Sequence, residues 1–430
     1  MGSKTKTVVA AAGSLALLAA VAAAAGFPGF DSGVSVRPLL DEAKAAAGTG
    51  EVWISVGQDD LGRLSAAEAP MLGRPVSTSS RASVFRVLED DLARVATLMH
   101  DKFHKCGGFF AHATREEAEA DLSAPAPSPA GFAYSVDQGA VVRPLAAAAR
   151  EDSLRATIDG LASYHNRYYQ SDSGTQAAQW LAGRWRDLAM GMPGATVRTH
   201  AHGGWKQPSV VLTIPGAELP DEIVVLGGHL DSIGGMWGGG TAKAPGADDN
   251  ASGIAVLTEA VRILGEAGFR PKRTIQFMGY AAEEVGLRGS ADIARQYKTG
   301  GQKVVGVVQF DMTNFAGSGS GIWVLTDNVD PALSAHLRAL ATAYSGVPVN
   351  STACGYGCSD HASWTRSGFP ASAAFESAFD TMNRNIHTDR DTVANSGGDA
   401  AHSVPFARLA VAFAVETAKP ASPARVTASR

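Results

Sequence analysis

Apolar runs and helix-spaced apolar positions take turns along the second half of the chain. Ile223 to Gly227 is a short apolar run, and Gly253 to Leu264 repeats its apolar residues at helical spacing. Thr274 to Tyr280 is again a run, the stretch near Ser290 to Tyr297 is helical in spacing, and Val304 to Phe310 is a third run. Short runs bounded by polar turns predict strands, and strands alternating with amphipathic helices predict a mostly parallel sheet covered by helices on both faces. Upstream, Glu51 to Val56 alternates as a strand does, while Val84, Leu88, Leu92, Val95 and Met99 fall on one face of a helix. Between the two regions, Leu122 to Gly131 carries three prolines among small residues and reads as an exposed linker.

Composition sets the outer limits. A chain of 430 residues, 45% hydrophobic and 18% charged, is long enough for a large core and more than one folding unit. A net charge of -5 gives no electrostatic footprint for nucleic acid or an acidic membrane surface, so neither is expected as a partner. Lys4 and Lys6 precede an apolar stretch, Val8 to Ala25, that is mostly alanine and ends in small residues. This reads as a secretory signal peptide; a membrane anchor is the alternative, since the run approaches spanning length. Export implies a secreted or periplasmic protein, with no membrane attachment after processing. In such an oxidising compartment Cys354 and Cys358, which flank Gly-Tyr-Gly, read as a disulfide closing a tight loop, and Cys106 stands alone.

In folds of this kind ligands sit beyond the carboxyl ends of the strands. His229 stands at the end of the first run, and Asp231, two residues along an extended chain, projects to the same side and could accept from its second ring nitrogen. Asp248 and Asp249 open the next helix, Glu283 and Glu284 follow the second run, Asp311 follows the third, and His387 lies in a polar loop behind Phe375 to Phe379. Taken singly, each has a plain structural reading: a satisfied histidine, a helix N-cap, a pair of solvated loop charges. Taken together they form an oxygen-rich set with two imidazoles, which suits Zn²⁺, Mn²⁺ or Co²⁺. Three carboxylates and one hydroxide balance two divalent ions, whereas a single ion would leave the cluster negative.

Gly-Gly-His229-Leu-Asp231-Ser, Pro-Gly-Ala-Asp-Asp249-Asn-Ala-Ser-Gly, Ala-Ala-Glu283-Glu284-Val-Gly-Leu-Arg-Gly-Ser, Gln-Phe-Asp311-Met and Ile-His387-Thr occur in that order. As a set, over roughly residues 150–418, they resemble the secreted bacterial leucyl aminopeptidases with two co-catalytic zinc ions. The resemblance implies an α/β fold of three layers, α-β-α, with a twisted, mainly parallel mixed sheet. It implies that Asp249 bridges two ions, with His229 and Asp311 on one and Glu284 and His387 on the other, and that Glu283 is the general base acting on a water the ions share. It places the Cys354–Cys358 loop beside the substrate pocket, gives Tyr356 an oxyanion role, and points to Leu325. A pocket lined by Met312, Leu325, Tyr356, Phe375, Phe379 and Ile386 would accept leucine or another large apolar first residue, although Ala373 and Met382 stand where larger or aromatic side chains are expected in relatives. The implied substrates are the N-termini of peptides and proteins. A glutaminyl cyclase-like transferase and a carboxypeptidase on the same fold are the rival activities, and the carboxypeptidase lacks an identifiable cation for a terminal carboxylate.

The expected organisation is a signal peptide at 1–25, a small α+β propeptide at 26–121, a linker with the processing site at 122–138, the di-zinc catalytic unit at 139–420 and a flexible tail at 421–430. The propeptide would act as an intramolecular chaperone or inhibitor of a monomeric enzyme. Met99-His100-Asp-Lys-Phe-His104-Lys-Cys106 places two histidines and a thiol close together. Without an adjacent glutamate it is a poor independent zinc site; Cys106 reaching a catalytic zinc as an inhibitory thiolate is the sharper variant.

Overall fold

Strand parity determines the layers. The computed structural model describes residues 50–105, 107–123, 131–235 and 239–422. Eight strands form one sheet in the order β11-β10-β12-β9-β7-β8-β6-β5. They are β5 (Thr196–His200), β6 (Ser209–Ile214), β7 (Leu219–His229), β8 (Arg273–Tyr280), β9 (Lys303–Phe310), β10 (Ile322–Leu325), β11 (Val349–Thr352) and β12 (Ala371–Phe375). The centre, β12-β9-β7-β8, is parallel throughout. β6 and β5 continue it antiparallel, and β10 joins β12 antiparallel while pairing in parallel with β11. The sheet is therefore mixed and mainly parallel, as expected.

The α-helices of six or more described residues are α1 (Leu92–Phe103), α2 (Arg115–Ser123), α3 (Gly139–Ala147), α4 (Glu151–Ala162), α5 (Asp172–Leu188), α6 (Gly253–Glu266), α7 (Arg288–Thr299), α8 (Pro331–Tyr344), α9 (His361–Arg366) and α10 (Val404–Ala418). Val210 and Leu212 of β6, Val224 and Leu226 of β7, and Ile275 and Phe277 of β8 pack with residues of α3 to α6, α8 and α10. The alternate residues Val211, Val225, Met278 and Tyr280 pack instead with Ile293, Ala294 and Tyr297 of α7 and Trp364 of α9. Because both faces are covered, β7 from Ile223 to Gly228 and β9 from Val304 to Val308 are apolar and buried on both sides and lack the polar alternation of a half-solvated strand. That explains why they read as plain apolar runs.

A second, four-stranded sheet lies upstream in the order β2-β3-β1-β4: β1 (Glu51–Gly57), β2 (Ser77–Thr78), β3 (Ala82–Leu88) and β4 (Phe110–His112). The expected helix through Val84 and Leu88 begins only at Leu92, and both residues belong to β3. A spacing of four is also two strand periods, and Val84, Phe85 and Val87 favour the pleated surface. The tight turn Glu89–Asp91 then separates strand from helix. Val52–Arg430 forms one compact unit, in which Ile54, Val56, Phe85, Val95 and Met99 share a core with Tyr168, Tyr169, Ile233, Ala282 and Val285. Among the described residues no helix is long and apolar enough to cross a membrane. The expected signal peptide, Cys106, much of the linker and all but the first two residues of the tail lie outside the described residues.

Candidate metal centre

Three neighbouring parallel strands deliver the site. β7 ends on His229, β8 leads through Ala281 and Ala282 to Glu283 and Glu284, and β9 leads to Asp311. Asp249 comes from the turn Ala247–Ser252 that opens α6, and His387 from the loop behind β12. None of these six side chains belongs to a residue more than 8% exposed, so water does not solvate their charges. Asp249 is the hinge of the arrangement. Its Oδ1 lies 2.9 Å from His229 Nε2 and its Oδ2 lies 3.3 Å from His387 Nε2. His229 Nε2 is also 3.3 Å from Asp311 Oδ1, and His387 Nε2 is 2.7 Å from Glu284 Oε2. Two sets of metal-capable donors result, His229–Asp249–Asp311 and Asp249–Glu284–His387, sharing one carboxylate.

Main-chain groups hold these side chains in place. The Asp391 carboxylate accepts from the N–H groups of Asp248 and Asp249, both at 3.0 Å, which fixes the turn carrying the shared carboxylate. Asp231 does the same for the glutamates: Oδ1 accepts from Glu283 N at 3.0 Å and Oδ2 from Glu284 N at 3.2 Å. Its carboxylate stands 3.7 Å from His229 Nδ1, beyond hydrogen-bond range, and the closer contact of that nitrogen is the Asp231 main-chain oxygen at 3.2 Å. So Asp231 orients the Glu283–Glu284 loop with its side chain and the histidine with its backbone. Fully buried Arg167 donates from Nε to Leu230 O at 2.8 Å and from Nη2 to Gly246 O at 2.9 Å, with Leu161 O and Pro245 O as further acceptors. One guanidinium thereby ties the loop after β7 to the turn before α6; burial lowers its pKa to about 10, which leaves it charged at neutral pH. Ala282, Met312 and His387 all have positive φ, at 57°, 54° and 56°. Strained backbone of this kind persists where the surroundings over-determine it, and here it flanks or forms the site.

Electrostatically the two histidines compensate these carboxylates only in part. Both oxygens of Asp249, Glu283 and Glu284 are buried without an aligned hydrogen-bond donor, although Asp249 and Glu284 touch histidines closely. Burial raises the Glu284 carboxyl to about 7, with the negative charge of Asp249 adding to the effect. Burial also lifts Glu283 well above the usual carboxylate range; His229 opposes this, and Asp311, Asp360 and Glu284 reinforce it. Asp249 goes the other way: against burial, His229 and His387 hold it well below the usual range. For His229 burial disfavours the charged ring, but Asp311 and Glu283 outweigh it and raise its pKa well above 6.5. Orphaned carboxylate oxygens facing two imidazoles are the donor chemistry of a divalent cation site, and the residues fit zinc, manganese or cobalt.

Beside the donors lies a pocket lined by Met312, Leu325, Cys358, Ser359, Ala373, Phe375 and Phe379, with Asp311 at one side. Four of the residues read from the sequence as pocket, Met312, Leu325, Phe375 and Phe379, line it. Ile386 is wholly buried in the cluster behind them, with Met382. Cys354 and Cys358 form a disulfide across the loop holding Tyr356, whose ring lies 6.2 Å from that of Phe379. Asp327 anchors this loop by accepting from Cys354 N and Gly355 N. Ser359 donates to Asp311 Oδ2. Arg167, Asp391 and Ser359 were not singled out by the sequence reading. Asp391 sits four residues after His387, which is the one signal that pointed to it.

Known proteins place this geometry. Residues 209–412, which span the sheet centre and every candidate donor, match peptidase family M28. The chain is 35% identical over 379 residues to Leucine aminopeptidase 1 of Arthroderma gypseum, covering 83% of this chain and 98% of that one. The crystal structure of the LapA aminopeptidase of Legionella pneumophila superposes with a TM-score of 0.76 at 29% identity, over 86% of this chain and 98% of that one. A glutaminyl cyclase of Porphyromonas gingivalis shares the fold alone, with a TM-score of 0.52 at 17% identity, over 61% of this chain and 97% of that one. With a fungal relative matched along nearly its whole length and the family model laid across every strand end that carries a donor, this chain belongs to peptidase family M28.

Proposed function

We propose that the protein is a secreted metallo-aminopeptidase, releasing leucine or another large apolar residue from the N-termini of peptides, with two zinc ions shared through Asp249 and residues 26–121 acting as its propeptide. The observation that carries this reading is the sharing itself: each Asp249 oxygen faces the histidine of a different donor set, and the buried carboxylate of Glu283 feels the charges of His229, Asp311 and Glu284. His229, Asp249 and Asp311 would hold one ion and Asp249, Glu284 and His387 the other. Bound there, the ions would supply Lewis acidity, lowering the pKa of water and polarising a peptide carbonyl.

The chain does the rest. Glu283 takes a proton from the attacking water and returns it to the leaving amine; burial shifts its carboxyl above the usual range, the direction that strengthens it as a base. Asp231 keeps the Glu283 carboxylate in register by holding its N–H. Tyr356, on its disulfide-closed loop, would donate to the developing oxyanion. Met312, Leu325, Phe375 and Phe379 surround the first side chain, and the apolar lining excludes water from the reacting bond. The negative charge of Glu284 and Asp249 suits a free amino terminus.

Hydrolysis of leucine p-nitroanilide by the processed protein tests the assignment. Activity should vanish on chelation, return with zinc, and be absent for the N-acetylated substrate. Cyclisation of a glutaminyl peptide without release of p-nitroaniline would assign the transferase of the same fold, and cleavage only at a free carboxyl terminus would assign a carboxypeptidase.

A further inference from the structure

The upstream sheet and α1 rest on three loops that carry the site. Ala111 N of β4 donates to Gly286 O at 3.0 Å, on the loop that holds Glu283 and Glu284. Gly286 has φ 100°, and a Cβ there would come 2.8 Å from Ala111 N, so the approach of β4 requires glycine. On the disulfide loop, Phe110 lies against Gly357, and Lys105 Nζ sits 4.7 Å above the Tyr356 ring while pairing with Asp60 at 2.7 Å. The third contact is His100, in the last turn of α1, whose ring centroid lies 4.5 Å from that of His387 at a tilt of 39°.

His100 is unusual for its place. It is 7% exposed, and its Nδ1 is buried with no hydrogen-bond partner among the described residues. The other residues α1 buries are chiefly apolar, among them Leu92, Val95, Met99 and Phe103. Leucine or methionine would fill the position without burying an unpaired polar nitrogen, which costs about 1–3 kcal/mol. His104, one helical turn on, leaves the helix with φ 55° and is exposed, so the two histidines do not form a site of their own. The neighbouring donor set, Asp249, Glu284 and His387, supplies three protein ligands. Three protein ligands with one open position is the pattern of a catalytic zinc site, and four is that of a closed one.

We propose that His100 is the fourth donor: its imidazole enters on the His387 side of the Asp249–Glu284–His387 set and takes the position a substrate's amino terminus would use. The upstream region then keeps the enzyme latent through a ligand as well as through bulk. This inference rests on the metallo-aminopeptidase reading above, and its test separates the two. In the full chain, zinc affinity is measured by chelator competition, and the visible spectrum is recorded after Co²⁺ substitution. The variant is His100→Phe, which keeps the ring and removes the donor. The expected result is that one ion weakens by roughly tenfold or more, since even outer partners of metal ligands carry that much, with a changed Co²⁺ absorption band. The ion on His229 and Asp311 should keep its affinity and so report an intact fold. His100→Gln, without an imidazole, replaces His100→Phe if the latter fails to fold, and should show the same loss. Two ions bound with unchanged affinities and an unchanged Co²⁺ spectrum would overturn the role of His100. A full chain that binds no divalent ion would overturn the metallo-aminopeptidase reading instead.

Discussion

At the scale of single residues, Glu283 and Glu284 are neighbours in sequence with different surroundings. Glu284 Oε2 meets His387 at 2.7 Å, whereas Glu283 makes no ion pair with a histidine among the described residues. Glu283→Gln should retain both metals and lower kcat by about 10²- to 10⁴-fold, the usual worth of a positioned general base. Glu284→Gln should lose metal first, with activity restored in part by excess zinc; metal analysis alongside steady-state kinetics separates the two. Equal behaviour of the two variants would refute distinct roles. As candidate donors, His229, Glu283, Glu284 and Asp311 were legible because each follows an apolar run, where the fold puts function, while Asp249 and His387 were read from a polar turn and a polar loop. The residues that hold them were not. Arg167 and Asp391 act on main-chain carbonyls and amides, and nothing in their own sequence neighbourhoods announces which backbone they will meet.

At the scale of elements, period and burial decided what was readable. The buried central strands β7, β8 and β9 stood out as apolar runs, while the short edge strands β5 and β11, with exposed residues and no long run, did not. Val84 and Leu88 fit a helical face and a strand face equally well, and tertiary packing chose the strand. The pairing of β4 with the Glu283–Glu284 loop left only one trace in the sequence, a glycine at 286. Gly286→Val should therefore destabilise the full chain by about 2 kcal/mol or more, combining an unfavourable φ with the close contact to Ala111. Gly203→Ala, with an ordinary backbone and open space around it, is the matched control and should leave the thermal midpoint unchanged. Equal melting of both variants would mean that β4 can give way at no cost.

At the scale of the whole molecule, buried histidines make stability depend on pH. Burial lowers the pKa of His336 to about 4, with Lys419 adding to it, and lowers that of His112 to about 3, helped by Arg366. Folded values below the unfolded 6.5 mean that the unfolded chain takes up the proton first. Their contribution is complete above about pH 6.5 and is lost as pH falls toward 4 and 3. His336→Phe keeps the ring stacked on Tyr134 and should reduce the stability difference between pH 7.5 and pH 5 by about 2 kcal/mol, from 1.4 kcal/mol per unit below 6.5. Urea midpoints at the two pH values measure it, and an undiminished difference would count against the assignment. The composition predicts a boundary near residue 122 with a propeptide upstream of it, yet which residues that part packs against left no local signal, because its contacts are long-range. On the propeptide reading proposed above, the core joining Ile54, Phe85 and Met99 to Tyr168, Tyr169 and Val285 has a consequence for activation. An apolar junction of this kind behaves like an obligate subunit interface, whose lifetime is set by dissociation. Cutting the chain between Asp121 and Val142 should leave two fragments that co-elute on gel filtration and separate only in denaturant. Separate elution of the fragments in buffer would refute this. Onset of activity would then follow destruction of the displaced fragment and lag behind the cut, making fragment turnover the clock of maturation.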